Sequence, residues 1–181
     1  MIVLVGESAS GKSSIEKYLV ENYEYNRIIS YTTRPPRDGE IDGIHYHFID
    51  TETFIKMEEQ GLFAETTTYR GWYYGSAKDD CTDDKVCVMN PHGLRQLLKN
   101  KDLNITSFYI NVPRRDRLIK ILQRGDNIEE AYRRSVSDEG QFTGIEDEVN
   151  FVINNDGYKK SIADMANEVH MKTRYSKEEI K

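Results

Sequence analysis

Residues 6–14 read GESASGKSS and match the spacing G-x-x-x-x-G-K-[ST] at Gly6, Gly11, Lys12 and Ser13. Glycines at the first and sixth positions let the backbone curl with its amides turned inward, the arrangement that cradles a polyphosphate. A helix opening at that point adds positive potential. A lysine there reaches the outer phosphates, and the hydroxyl that follows ligates Mg²⁺. The pattern assigns nucleoside triphosphate binding to Gly6, Glu7, Ser8, Ala9, Ser10, Gly11, Lys12, Ser13 and Ser14, with Ser13 as the metal ligand. The competing reading is a glycine–serine turn in which Ser8 or Ser10 merely caps a helix. An apolar strand before the loop and a helix after it favour phosphate binding.

A second stretch, SYTTRPPRDGEIDGIHYHF (30–48), places Arg34 and Arg37 three residues apart around Pro35 and Pro36. The prolines stiffen it and bias it toward extended backbone. Two planar guanidiniums on a stiff segment suit a phosphate monoester, and Tyr46 and Tyr74 add phenolic donors. Taken by itself, the segment reads sooner as a solvent-exposed basic turn.

The elements that must position these groups follow from the hydrophobic pattern. MIVLV (1–5) predicts a buried parallel strand, and KSSIEKYLVENY a helix with Ile15, Tyr18 and Leu19 on one face. NRIIS (26–30) is a second strand and TETFIKMEEQ (51–60) a helix. Residues 62–75 alternate as two strands around a turn at Gly71. Further strands are KVCVMN (85–90), NITSFYINV (104–112) and NFVINN (150–155). Helices are PHGLRQLLKN, with Pro91 in its first turn, then RRDRLIKILQRG, NIEEAYRRSVSDE (127–139) and YKKSIADMANEVH, while the polar tail from Lys172 is expected to fray. Strands alternating with helices predict an α/β, three-layer fold with a mostly parallel sheet. Residues 31–76 interrupt the alternation as an inserted, strand-rich lobe.

The chain has 181 residues, 38% hydrophobic and 31% charged, which fits one soluble domain. A net charge of −6 argues against general nucleic-acid or anionic-membrane binding, so any anion site is local. No apolar run approaches membrane-spanning length, and MIVLVG is too short for a secretory leader. Cys81 and Cys87 form no metal motif and are expected as reduced thiols in the cytoplasm.

TTRPPRDGEIDGIHYHFI resembles, without a gap, the signature segment of guanylate kinases, which phosphorylate GMP with ATP; Thr33, Arg34, Arg37, Glu40, Gly43, Tyr46 and Phe48 carry the match. FAETTTYRGWYYGS (63–76) is similar to the family's second acceptor segment, RGDNIEEAYRRS to its lid and FVINND to its last strand. The resemblance implies a P-loop NTPase-type fold in one domain. Its core would be 1–30, 77–123 and 143–171, its GMP-binding lobe 31–76, its helical lid 124–142 and its tail 172–181. It further implies that Ser30, Arg34, Arg37, Tyr46 and Tyr74 hold GMP while Glu65 and Ser76 read the base. That assignment agrees with the chemistry. Guanine presents two adjacent donors, N1–H and the N2 amine, and an ionised carboxylate accepts both. Adenine would set a lone pair against Glu65, a mismatch worth on the order of 10⁴-fold. Arg124 and Arg134 match lid positions directed at the phosphates and join Lys12 as the catalytic set; Arg133 reads instead as a helix ion-pair partner of Glu129. Asn154 resembles a position near adenine, although an asparagine there also suits a turn.

The implied reaction is in-line transfer of the γ-phosphate of ATP, with Mg²⁺, to GMP, giving ADP and GDP without a covalent enzyme intermediate. Nucleotides are the expected partners, with no nucleic acid and no membrane, in a monomer or small homo-oligomer. Two other readings stand beside it: a related kinase for a different or modified (deoxy)nucleotide, and a guanylate-kinase-like binding module without turnover. The first is motivated by departures from the family pattern. The third core strand usually ends Asp-x-Asp in the family, and here Val88 and Asn90 occupy those positions. Asn90 keeps hydrogen-bonding capacity and is retained as an acceptor contact, while Asp83 and Asp84 are the nearby candidates to replace the missing acid. Lys120 stands where the family usually has a lid arginine, which keeps the charge and loses the fork. His45 and His47 share a strand face, which reads as a solvated strand rather than a metal site, and Trp72 reads as lobe packing.

Overall fold

The computed structural model describes residues 1–69, 71–123, 125 and 128–178. In chain order its strands are β1 (Ile2–Val5), β2 (Asn26–Arg27), β3 (Tyr31–Thr32), β4 (His47–Phe48), β5 (Phe63–Tyr69), β6 (Trp72–Ala77), β7 (Lys85–Met89), β8 (Thr106–Asn111) and β9 (Phe151–Asn154). The helices are α1 (Lys12–Asn22), α2 (Thr51–Glu59), α3 (Pro91–Leu97), α4 (Arg114–Gln123), α5 (Ile128–Asp138) and α6 (Ile162–Glu178). No helix among the described residues is long and apolar enough to cross a membrane.

Five strands form a sheet in the order β2-β7-β1-β8-β9, parallel at every pairing. Side chains alternate across a strand, and β1 buries both sets. Ile2 and Leu4 pack with Ile15 and Leu19 of α1 and with Met165 and Val169 of α6. Met1, Val3 and Val5 pack on the other face with Leu94 and Leu97 of α3 and with Phe142 and Ile145. Helices therefore cover both faces, and the carboxyl ends of the strands open toward one edge, where α/β sheets bind ligands.

The second sheet has the order β4-β3-β6-β5. Asp50 caps α2 by accepting the Thr53 amide at 2.8 Å, and the helix buries Phe54 against Phe63 and Tyr73. Gly75 lets β6 lie close to Phe63, whose ring a Cβ there would crowd at 3.0 Å.

Three expectations are corrected. The second strand was expected over 26–30 and covers only Asn26–Arg27. The Ile29 amide turns to the Asp80 carboxylate (3.1 Å) and the Ser30 carbonyl accepts from His47 (3.0 Å), so the chain leaves one sheet for the other at that point. The tail from Lys172 does not begin as frayed coil. α6 continues to Glu178, with Thr173 buried and Lys172 paired to Glu168 at 3.3 Å. Trp72 begins β6 and is 39% exposed, a strand-end side chain rather than lobe packing. Cys81 and Cys87 are free, buried thiols.

Candidate active site

The phosphate loop joins β1 to α1. Gly11 occupies the N-cap of α1 at φ 99°, and no side chain caps the helix, so neither Ser8 nor Ser10 plays that part. A helix N-terminus without a side-chain cap keeps its amides available to an anion. Gly6 admits no side chain, because a Cβ would lie 2.7 Å from the Ile110 carbonyl oxygen. Ala9 takes φ 67°, uncommon for a residue with a side chain, and its carbonyl accepts from the Tyr158 hydroxyl at 2.9 Å. Lys12 folds over its own loop: Nζ donates to the Glu7 carbonyl (2.8 Å) and lies 3.3 Å from the buried Ser10 Oγ. Burial pulls the Lys12 pKa down to about 8, while Asp138 and Glu7 oppose the shift and Arg117 adds to it. Ser13 and Ser14 lie exposed in the first turn of α1.

Between the two sheets, where the acceptor is expected, lies a cleft of about 460 Å³, a size suited to a small-molecule ligand. Its lining includes Ser30, Tyr46, Glu65, Tyr74, Val88 and Asn90, so residues from five separated segments meet in one place. Glu65 is 8% exposed and accepts a hydrogen bond from the Ser76 hydroxyl at 2.8 Å, with Ser30 Oγ 3.2 Å from Ser76 Oγ. Burial raises the Glu65 pKa, opposed by hydrogen bonds from Ser76 and the nearby His92. Tyr46 and Tyr74 meet edge to face with ring centroids 6.0 Å apart.

Arg34 and Arg37 do not line this cleft themselves. Arg34 forms a fork with Glu40, Nη1 to Oε2 at 3.0 Å and Nη2 to Oε1 at 2.8 Å, and lies 5.5 Å from the Tyr46 ring centroid. The Arg37 amide donates to Glu40 Oε2 at 2.7 Å, while its side chain is exposed. These bonds hold the Glu40 carboxyl at a pKa of about 2, Arg34 contributing most. Glu40, itself a lining residue, thus sets the shape of the stiff segment and holds Arg34 beside Tyr46.

The missing carboxylates of β7 are not replaced by Asp83 or Asp84. Both precede β7, at the end of the strand remote from the phosphate loop, where Asp83 lies 3.7 Å from the Met1 amine and Asp84 accepts from Asn26 and Thr82. Asn90 spends its side-chain oxygen capping α3, accepting from the Gly93 amide at 2.8 Å, and retains its amide donors. The carboxylate that lines the cleft on this side is Glu16, one turn beyond Ser13 and 3.2 Å from Arg27. Sequence reasoning missed it; its one signal was i, i+3 spacing from Ser13. Lys120 lies over the Tyr158 ring, 5.6 Å from its centroid. Asn154 ends β9 and accepts from Asn111 at 2.9 Å. Arg124 lies outside the described residues, and Arg134 is described only as backbone within α5. Also missed were Tyr109 and Arg117, which hold Glu7 from more than a hundred residues away and carry no local signature.

The donor set fits the groups a phosphoryl transfer needs. An uncapped helix N-terminus, a loop glycine that tolerates no side chain and a lysine turned onto the loop suit a triphosphate. Among the described residues no cluster of three or more His, Cys, Asp or Glu forms a metal cage. A magnesium ion that takes most of its oxygens from phosphate and water, with one serine hydroxyl, matches what is present.

The family model described as guanylate kinase matches residues 1–172. The guanylate kinase of Sphingopyxis alaskensis is 33% identical over 138 residues, 72% of this chain and 63% of that protein, a little under two thirds of its length. The guanylate kinase of Nitratidesulfovibrio vulgaris is 34% identical over 145 residues, 76% of this chain and 70% of that protein. The crystal structure of guanylate kinase from Anaplasma phagocytophilum superimposes with a TM-score of 0.70 at 21% identity, covering 97% of this chain and 85% of that one. That last likeness carries the fold alone.

Proposed function

This chain belongs to the guanylate kinase family, and we propose that it transfers the γ-phosphate of ATP to GMP, giving ADP and GDP. The observation that carries the acceptor assignment is Glu65, a buried carboxylate on the cleft wall with Ser76 on one oxygen. Ionised, it accepts from N1–H and the N2 amine of guanine, and Ser30 and Ser76 fix its orientation. Tyr46, Tyr74, Arg34 and Arg37 receive the GMP phosphate, with Glu40 presenting Arg34. Asn90 offers its amide donors to the acceptor.

On the donor side the loop amides, Lys12 and Ser13 bind the triphosphate, and Lys12 exchanges its contacts with Glu7 and Ser10 for phosphate oxygens. Ser13 would hold a magnesium ion, which would supply charge neutralisation at the phosphates. Transfer is then a matter of positioning and charge stabilisation. Arg124 and Arg134 act in a lid over 124–142, Asn154 stands by the adenine, and residues 31–76 move as the acceptor lobe. Closure of lobe and lid excludes water that would otherwise hydrolyse ATP. Two free thiols support a reducing compartment, the cytoplasm, and the reading needs no partner beyond nucleotides and at most a small homo-oligomer.

A coupled assay of ADP release from ATP, run with and without GMP across several Mg²⁺ concentrations, tests the proposal. Release that depends on both GMP and magnesium is expected. Equal release without GMP would make the chain an ATPase or assign it another acceptor, and no release at any magnesium level would make it a binding module.

A further inference from the structure

The phosphate loop carries a negative charge of its own. Glu7 is the second residue of a loop built to receive a polyanion, and its side chain is only 14% exposed. Both of its oxygens are held. Oε1 accepts from Arg117 Nη2 at 3.1 Å and Oε2 from the Tyr109 hydroxyl at 3.1 Å. Arg117 sits on α4, its side chain 9% exposed, and its remaining nitrogens are also engaged. Nε donates to the Val112 carbonyl at 2.9 Å and Nη1 to the Ser8 carbonyl at 3.5 Å. On the opposite side the Ser8 amide donates to Asp138 Oδ2, at the end of α5, at 2.7 Å. Loop residues 7 and 8 are thus gripped by side chains from β8, α4 and α5. The grip borders a cavity of about 360 Å³ lined by Glu7, Tyr109, Arg117 and Asp138.

We infer that Arg117 is a positioning residue for the donor nucleotide. It neutralises Glu7 and holds that carboxylate against β8, away from the phosphates, while fixing the Ser8 carbonyl so that the loop amides turn inward. A carboxylate left buried without its partner is an uncompensated charge in a poorly screened setting. Here that charge would face the triphosphate directly. Loss of Arg117 therefore acts through Glu7, on the donor site and not on the acceptor cleft. The inference rests on the phosphate loop holding a nucleotide and is independent of which acceptor is used.

A double-mutant cycle read by calorimetric binding of ADP and ATP, with GMP titrated separately, tests it. Arg117→Met keeps the apolar stem and removes the charge. Donor-nucleotide affinity is expected to fall by about 10–100-fold, with GMP affinity within about twofold of wild type. Adding Glu7→Gln to Arg117→Met is expected to restore at least about tenfold of the loss, although the guanidinium is still absent. If Arg117→Met does not fold, Arg117→Lys with and without Glu7→Gln reads the same coupling, since lysine keeps the charge but not the fork. Equal donor affinity with and without Glu7→Gln in the Arg117 variant, or a parallel loss of GMP affinity, would overturn the inference and leave Arg117 as a fold contact. Donor binding is measured without turnover, so failure of the GMP assignment would leave this result standing.

Discussion

In the donor loop the groups offered to a phosphate are main-chain amides and one lysine within a single run of residues. In the acceptor cleft they are side chains from five segments and two sheets. The donor site is therefore a matter of backbone conformation, set by Gly6, Ala9 and Gly11 at positive φ and by contacts that hold the loop from outside. The acceptor site is a matter of side-chain identity and of how the two sheets stand to each other. Damage to the loop is expected to weaken every triphosphate alike, whereas damage to the cleft is expected to change which monophosphate is accepted.

The sharpest break of that contrast is at Lys12, the side chain that turns over the loop itself. Lys12→Met is expected to lower kcat by about 10²–10³-fold, by loss of a charge that acts on the transferring phosphoryl group. A loss of less than tenfold in steady-state kinetics would contradict its role. Next in size is Glu65→Gln. It replaces an acceptor-only group with one that also donates, and is expected to lower kcat/KM for GMP by about 10²-fold with KM for ATP unchanged. A change in ATP KM of similar size would erase the distinction between the two sites.

Arg34→Lys is expected to cost about tenfold in KM for GMP, because the fork with Glu40 and any bidentate phosphate contact are lost together. An unchanged KM would remove Arg34 from the phosphate cradle. The smallest effect is in protonation. The Lys12 pKa of the free protein is about 8, and bound phosphates raise it, so ATP binding at pH 8 is expected to take up about half a proton. Calorimetry in buffers of differing ionisation enthalpy measures it. Proton release on binding would contradict the sign.

The same contrast explains what could be read from the chain. The loop was legible because its chemistry is contiguous: a strand, a fixed glycine spacing and a helix. The parallel sheet was legible because a strand buried on both faces is apolar without interruption, as in Ile2–Val5. The second strand was overextended because Ile28 and Ile29 favour strand, while its end is decided by the Asp80 side chain reaching Ile29 from 51 residues away. Ser30, Tyr46, Glu65 and Tyr74, which line the cleft, could be named from their resemblance to a family segment, but not the bond between Glu65 and Ser76. Arg117 gave no signal at all, for a buried arginine on a helix looks like any surface arginine until its partners are known. Glu16 offered only its spacing from Ser13, and Glu40 was named for its family match and not for its charge, since their meaning lies in Arg27 and Arg34.

Whether the buried carboxylate of Glu65 chooses guanine is tested most directly by initial rates with GMP and AMP at equal concentration under saturating ATP and magnesium. GMP is expected to turn over at least about 10³-fold faster than AMP, with the gap closing by about 10²-fold in Glu65→Gln. Equal rates for GMP and AMP in the wild-type protein would contradict the account.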